Sequence, residues 1–170
     1  MGKGKRVRIM KRDAKAAWAC RISLIVSFCA VLIFIYANSL RPSGASSEES
    51  QGIFAMLARF FSFLPFFTHA FLRKLAHFAE YTLLGLHLAA FPLTVGNGKK
   101  REYLFTLCAG ALVALTDELL QVFVPGRHGS IVDAALDMSG VLFGYLLYFL
   151  SAYVARRLAE IKKERAGCKK

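Results

Sequence analysis

The chain has 170 residues, is 56% hydrophobic and carries a formal net charge of +12, with a mean hydropathy of +0.44. So apolar a chain cannot clothe a soluble core in polar residues, and its apolar runs approach the ~20 residues that cross a hydrocarbon layer. The composition excludes a multidomain soluble enzyme and points to one all-α, polytopic membrane helix bundle.

The cations are clustered. They fall in residues 3–21, in Lys99, Lys100 and Arg101, and in residues 156–170. Basic clusters that flank apolar runs are topology signals, so no nucleic-acid partner is expected. The four cysteines, Cys20, Cys29, Cys108 and Cys168, form no CxxC pair. A disulfide framework and a cysteine zinc site are therefore not indicated.

Residues 1–15 form a basic N-terminus, expected on the cytoplasmic side. The Met1-Gly2 start does not make a myristoylation signal, because Arg6 stands where Ser or Thr is needed. Residues 16–37 read as an uncleaved first span, with Trp18 and Tyr36 at its two interfaces. Residues 38–52 are a polar loop broken by Pro42 and Gly44. The aromatic stretch 53–67 contains Arg59 and Pro65 and is too short to span, so a short interfacial helix is expected there.

A second span is expected over 73–95, with His77, Glu80 and Tyr81 interrupting its first half. Gly96-Asn97-Gly98 marks a tight turn. A third span over 103–124 carries Asp117, Glu118 and Gln121 in its second half and ends at Pro125-Gly126. The fourth runs over 131–154. A transmembrane domain thus covers 16–155, followed by a basic cytoplasmic tail over 156–170, expected to continue as a helix.

With four spans and an inner N-terminus, the inner segments hold 18 of the 23 Lys and Arg residues. The positive-inside rule then gives an N-in, C-in, multi-pass membrane protein. Seven of the 11 acidic residues fall on the outer side or in outer half-spans.

Those acids set the functional question. A charged side chain at the bilayer centre costs roughly 2.5–3.5 kcal/mol on insertion scales. Three spans nevertheless place polar groups within roughly 10–12 Å of the outer interface, taking 1.5 Å of rise per residue. Lys74, His77 and Tyr81 share one helix stripe, and Asp117 and Gln121 share another with Glu118 beside it. Asp133 and Asp137 form a third, which Gly140 and Gly144 continue as a close-packing surface. These spacings predict an outer-facing polar cavity.

Plainer roles compete for some of these residues. Ser130 and Asp133 suit the N-terminal cap of the fourth helix. Arg127 is expected to pair with Asp117, Glu118 or Asp133, since buried carboxylates need a partner. His77 also suits a packing histidine, and Glu80 a headgroup-level position. His69, His87 and His128 lack comparable neighbours, and no role is expected for them.

No HExxH or GxSxG motif is present. No cofactor or metal is expected. Were a metal bound, His77, Asp117 and Glu118 would be its candidate ligands, and the same three are the candidate catalytic groups.

The segments KLAHFAEYTLLG (74–85) and TDELLQVFVPGRHGSIVDAALDMSG (116–140) resemble the VanZ-like family of small bacterial membrane proteins. The family pattern is matched by Lys74, His77, Phe78, Tyr81, Leu84 and Gly85. It continues through Asp117, Glu118, Gln121, Phe123, Pro125 and Arg127, and ends at Asp133, Asp137 and Gly140. Asp137 stands where many members carry Asn, and Asn38-Ser39 looks like the polar end of the family's first span. The likeness covers most of residues 20–150. The family takes its name from a teicoplanin-resistance accessory protein, so the resemblance implies a cell-envelope context linked to antibiotic susceptibility. It implies no reaction.

Two functions are therefore expected to compete. In the first, the cavity binds a membrane lipid, a lipid-linked cell-wall precursor or a lipoglycopeptide antibiotic through Lys74, His77, Tyr81, Asp117, Glu118, Gln121, Arg127, Asp133 and Asp137. In the second, an intramembrane hydrolase or transferase, with or without a metal, acts on a lipid-linked substrate.

Overall fold

The computed structural model describes residues 3–42, 52, 55–56, 68–91 and 99–167. Among them, the regular structure is helical. The four long helices are α1 (Lys3–Ser39), α2 (His69–Ala90), α3 (Lys99–Gln121) and α4 (Ile131–Gly167). The interfacial helix expected over 53–67 lies, apart from 55–56, outside the described residues, as do the Gly96-Asn97-Gly98 turn and Cys168.

Stretches of α1 (Trp18–Ser39), α3 (Tyr103–Gln121) and α4 (Ile131–Ala166) are long and apolar enough to cross a membrane. The sequence places a further span at α2. Its 22 residues include Arg73, Lys74, His77 and Glu80 in the first half, and these lower its hydropathy. The deficit has a structural reason: α2 is the hub, packing most extensively on α4 and also on α3 and α1. A helix that faces neighbours on several sides needs less apolar surface of its own.

The core lies where these helices meet. Ile35, Tyr81, Leu84, Leu88, Ala114 and Val141 are buried together, with Phe28, Val31, Leu32, Ala109, Val113 and Met138 around them. The outward faces are apolar as well. Leu104, Leu112, Leu115, Leu119, Val122, Phe123, Val132 and Leu146 are all exposed. Soluble monomers rarely present so much continuous apolar surface. A lipid solvent removes that penalty, because tails solvate such side chains.

Glycines bring α2 and α4 into backbone contact. A Cβ on Gly140 would stand 2.7 Å from the Phe78 carbonyl oxygen and 3.0 Å from Tyr81 Cβ. One on Gly144 would collide with the Thr82 carbonyl, and one on Gly85 with that of Val141. Helix association in lipid relies on such close approach, since apolar burial gains little there. Phe78 and Phe143 extend the seam with ring centroids 5.6 Å apart.

The helix ends fix the mouth of the bundle. Thr68 caps α2, its side chain accepting from the Phe71 N–H at 3.2 Å. Gly126, at φ 75°, makes the left-handed turn after α3, a conformation that disfavours any Cβ. Ser130 caps α4, its Oγ accepting from the Asp133 N–H at 3.4 Å. α1 and α4 each run 37 residues, about 55 Å at 1.5 Å per residue. Each therefore exceeds a ~30 Å hydrocarbon layer: the basic tail continues α4 as expected, and the basic N-terminus, expected as a separate segment, continues α1.

Candidate functional site

A cavity of about 180 Å³ opens between α2, α3, α4 and the loop joining the last two. Arg73, Lys74 and His77 line it from α2, Glu118 and Gln121 from α3, Gly126, Arg127 and His128 from the loop, and Asp133, Leu136 and Asp137 from α4. Seven of the nine residues assigned to the site by sequence line this one space. Tyr81 and Asp117 lie behind its wall, both 0% exposed. Burial along α2 follows the stripe: Lys74 is exposed, His77 half-buried and Tyr81 fully buried.

The ion pairing differs from the expectation. Lys74 Nζ meets Asp133 Oδ1 at 2.5 Å, with both side chains substantially exposed at the rim. Arg127 was expected on a carboxylate. Instead its Nε donates to the Arg41 carbonyl at 2.8 Å and its Nη2 to the Asn38 carbonyl at 3.0 Å. The reason is local. The last carbonyls of α1 have no intrahelical donors, and the negative end of the helix dipole attracts a cation. Burial pulls the Arg127 guanidinium below the ordinary arginine range, with Arg73 nearby adding to the effect. It remains cationic at neutral pH.

Glu118 also serves a helix end. Its Oε2 accepts from the Ser130 N–H at 2.7 Å, placing a carboxylate at the positive start of α4. Gly129 makes the approach feasible, since a Cβ there would stand 2.6 Å from the Glu118 carbonyl oxygen. Gln121 ties α3 to α1 and steadies Asp117. Its Nε2 donates at 3.2 Å both to Ser39 Oγ and to Asp117 Oδ2.

The deepest part of the site is polar and under-satisfied. Asp117 and Asp137 are buried at 0% and 1% exposure. Ligand-type atoms of His77, Asp117 and Asp137 lie within 4.8 Å of one another. His77 Nδ1, Glu80 Oε2, Tyr81 Oη, Asp117 Oδ1 and Asp137 Oδ2 are buried without a hydrogen-bond partner among the described residues. The group of potential ligands is thus His77, Asp117 and Asp137, with Glu118 engaged at Ser130.

Sequence reasoning passed over four contributors. Arg73 lines the cavity and makes no ion pair among the described residues. His128 lines it too, although no role was expected. Asn38 Nδ2 donates to Glu80 Oε1 at 2.8 Å, which ties Glu80 to α1. The signal for Asn38 and Ser39 was available, as two adjacent amide and hydroxyl side chains closing an apolar run. His87, also given no role, bridges α2 to α1, with Nδ1 2.8 Å from the Leu83 carbonyl and Nε2 3.1 Å from Ser27 Oγ.

Apolar helices of membrane-crossing length around a pocket of charged groups define a helical membrane protein with an inter-helix polar site. The chain belongs to the VanZ/LLP1 family, whose model matches residues 24–152. That match takes in every residue lining the cavity. Neither a curated protein nor a solved structure matches the chain.

Proposed function

We propose that this VanZ-family protein binds the phosphate-bearing headgroup of an envelope lipid or lipid-linked cell-wall precursor in the outer leaflet of a bacterial cytoplasmic membrane. The observation that carries this reading is the cationic wall of the cavity, Arg73, Lys74 and Arg127. Lys74 is engaged by Asp133 and Arg127 by carbonyls, which leaves Arg73 as the cavity cation without an ion pair among the described residues. Guanidinium suits this task because its planar fork matches phosphate oxygens two at a time. Asp133 and Glu118 at the same cavity would meet an amine or sugar hydroxyl next to the phosphate.

Size favours a headgroup over an antibiotic. Sites for drug-sized ligands run to about 300–1,000 Å³, and this cavity of about 180 Å³ is too small for the body of a lipoglycopeptide. An effect on antibiotic susceptibility would then act through the envelope lipid that the drug meets. In this reading α2 crosses the membrane as a fourth span, shielded by α1, α3 and α4. The basic ends of α1 and α4 sit in the cytoplasm, and the cavity opens outward.

Native mass spectrometry of the detergent-purified protein with phosphatidylglycerol tests the reading. The expected result is a retained lipid adduct, weakened roughly tenfold by Arg73→Ala, with a phosphate-free diglycosyl lipid retained poorly. Equal retention of the two lipids, or no effect of Arg73→Ala, contradicts it.

A second reading, an intramembrane enzyme acting on such a lipid, draws on the juxtaposition of His77 with Asp117 and Asp137. Paired carboxylates beside an imidazole are suited to general acid–base work. It requires conversion of a lipid-linked substrate in nanodiscs and loss of that conversion in His77→Ala. Adduct formation without conversion leaves the binding reading alone.

A further inference from the structure

We infer that His77, Asp117 and Asp137 form a binding site for one divalent transition-metal ion of the zinc class. Their ligand-type atoms, one from each of α2, α3 and α4, lie within 4.8 Å of one another. Donors on a tetrahedral zinc ion at about 2.0–2.2 Å stand roughly 3.3–3.6 Å apart, so side-chain rotations that draw the atoms together by about 1 Å close the set.

The charge balance of the bundle calls for a cation at this point. Two carboxylates are almost wholly buried, and burying unpaired charge is costly. Of the neighbouring cations, Lys74 is engaged by Asp133 and Arg127 by the end of α1, while Arg73, exposed on α2, pairs with neither buried carboxylate among the described residues. A dication between two carboxylates and a neutral imidazole would leave no net charge. It would also engage Asp117 Oδ1 and Asp137 Oδ2, both of which lack a partner.

A fourth group points to the same centre. Tyr81, one turn beyond His77 on α2, is 0% exposed, and its hydroxyl has no hydrogen-bond partner among the described residues. It is not one of the three ligands, and it is suited to hold a water or substrate oxygen on the ion. Gln121 supplies outer support by donating to Asp117 Oδ2, the arrangement that fixes a carboxylate ligand's orientation.

The donor set narrows the metal. An imidazole nitrogen among the ligands disfavours magnesium and calcium, which take oxygen, whereas histidine with carboxylates suits zinc and its first-row neighbours. Three protein ligands leave a coordination position open, as in catalytic zinc sites. His77 and Asp137 both line the cavity, so that position would face it. This site stands independently of lipid binding at Arg73.

The untagged full-length protein, stripped with chelator in detergent and dialysed against zinc, is assayed by elemental mass spectrometry. The expected content is about one zinc per chain. Affinity falls at least about tenfold in His77→Gln and in Asp137→Asn and is unchanged in His87→Ala. No zinc on the native protein, or equal affinity in His77→Gln, overturns the site. Zinc-edge X-ray absorption of the native protein decides without any variant. One imidazole with oxygen ligands is expected, and cysteine sulfur or an all-oxygen shell overturns the assignment.

Discussion

Glu118 and Arg127 illustrate how a polar side chain inside an apolar chain can be accounted for by a helix end. Glu118 receives the Ser130 N–H, and Arg127 donates to the Asn38 and Arg41 carbonyls. Losing a cap costs about 1 kcal/mol, so Glu118→Ala should lower thermal stability in detergent by about that amount, with Glu118→Gln keeping an acceptor and losing less. The Lys74–Asp133 pair, with side chains 48% and 38% exposed, should contribute less than about 1 kcal/mol. Asp133→Asn should therefore leave the melting curve nearly unchanged, and a larger loss than in Glu118→Ala would refute this ranking. Which residues share the cavity was legible from their spacing and depth along the helices. Who bonds to whom was not, because Arg127 can reach either carboxylates or carbonyls, and the turn at Gly126 decides between them.

Among the elements, the α2–α4 seam sets the geometry of the site. Gly85, Gly140 and Gly144 let backbones touch, and this brings His77 and Asp137 to one centre. Overpacking costs typically about 1–3 kcal/mol, and more where the obstacle is backbone. Gly144→Val should therefore strongly reduce the monodisperse fraction in detergent chromatography. An exposed control such as Leu146→Val should not, and a wild-type profile for Gly144→Val would mean that the helices do not meet there. The small-residue stripe was legible in the sequence, but its partner was not, since periodicity names a face without naming what packs on it. The helical tail of α4 was legible, whereas the extension of α1 back to Lys3 was missed. Lys, Arg, Glu and Ala in the flanks are good helix formers, and a change of solvent at the membrane surface does not end a hydrogen-bonded ladder.

At the scale of the whole molecule, the positive-inside distribution and the placement of the cavity make a joint claim. Cations gather at residues 3–21, 99–101 and 156–170, while the cavity lies at the opposite ends of α2, α3 and α4. The sequence reads α2 as a span although its hydropathy is low, and the bundle supplies partners for its polar groups, such as Asn38 for Glu80. Lipid binding at an outer-leaflet headgroup site requires the α3–α4 loop to face outward. His128 is exposed and lines the cavity, whereas a Cβ at Gly129 would press on the Glu118 carbonyl. Labelling a single cysteine introduced as His128→Cys, in a cysteine-free background, with a membrane-impermeant maleimide therefore tests the central claim most directly. Labelling on intact cells or spheroplasts, slowed by added phosphatidylglycerol, is the predicted result. Labelling only after the membrane is opened would place the cavity on the cytoplasmic side and contradict the account.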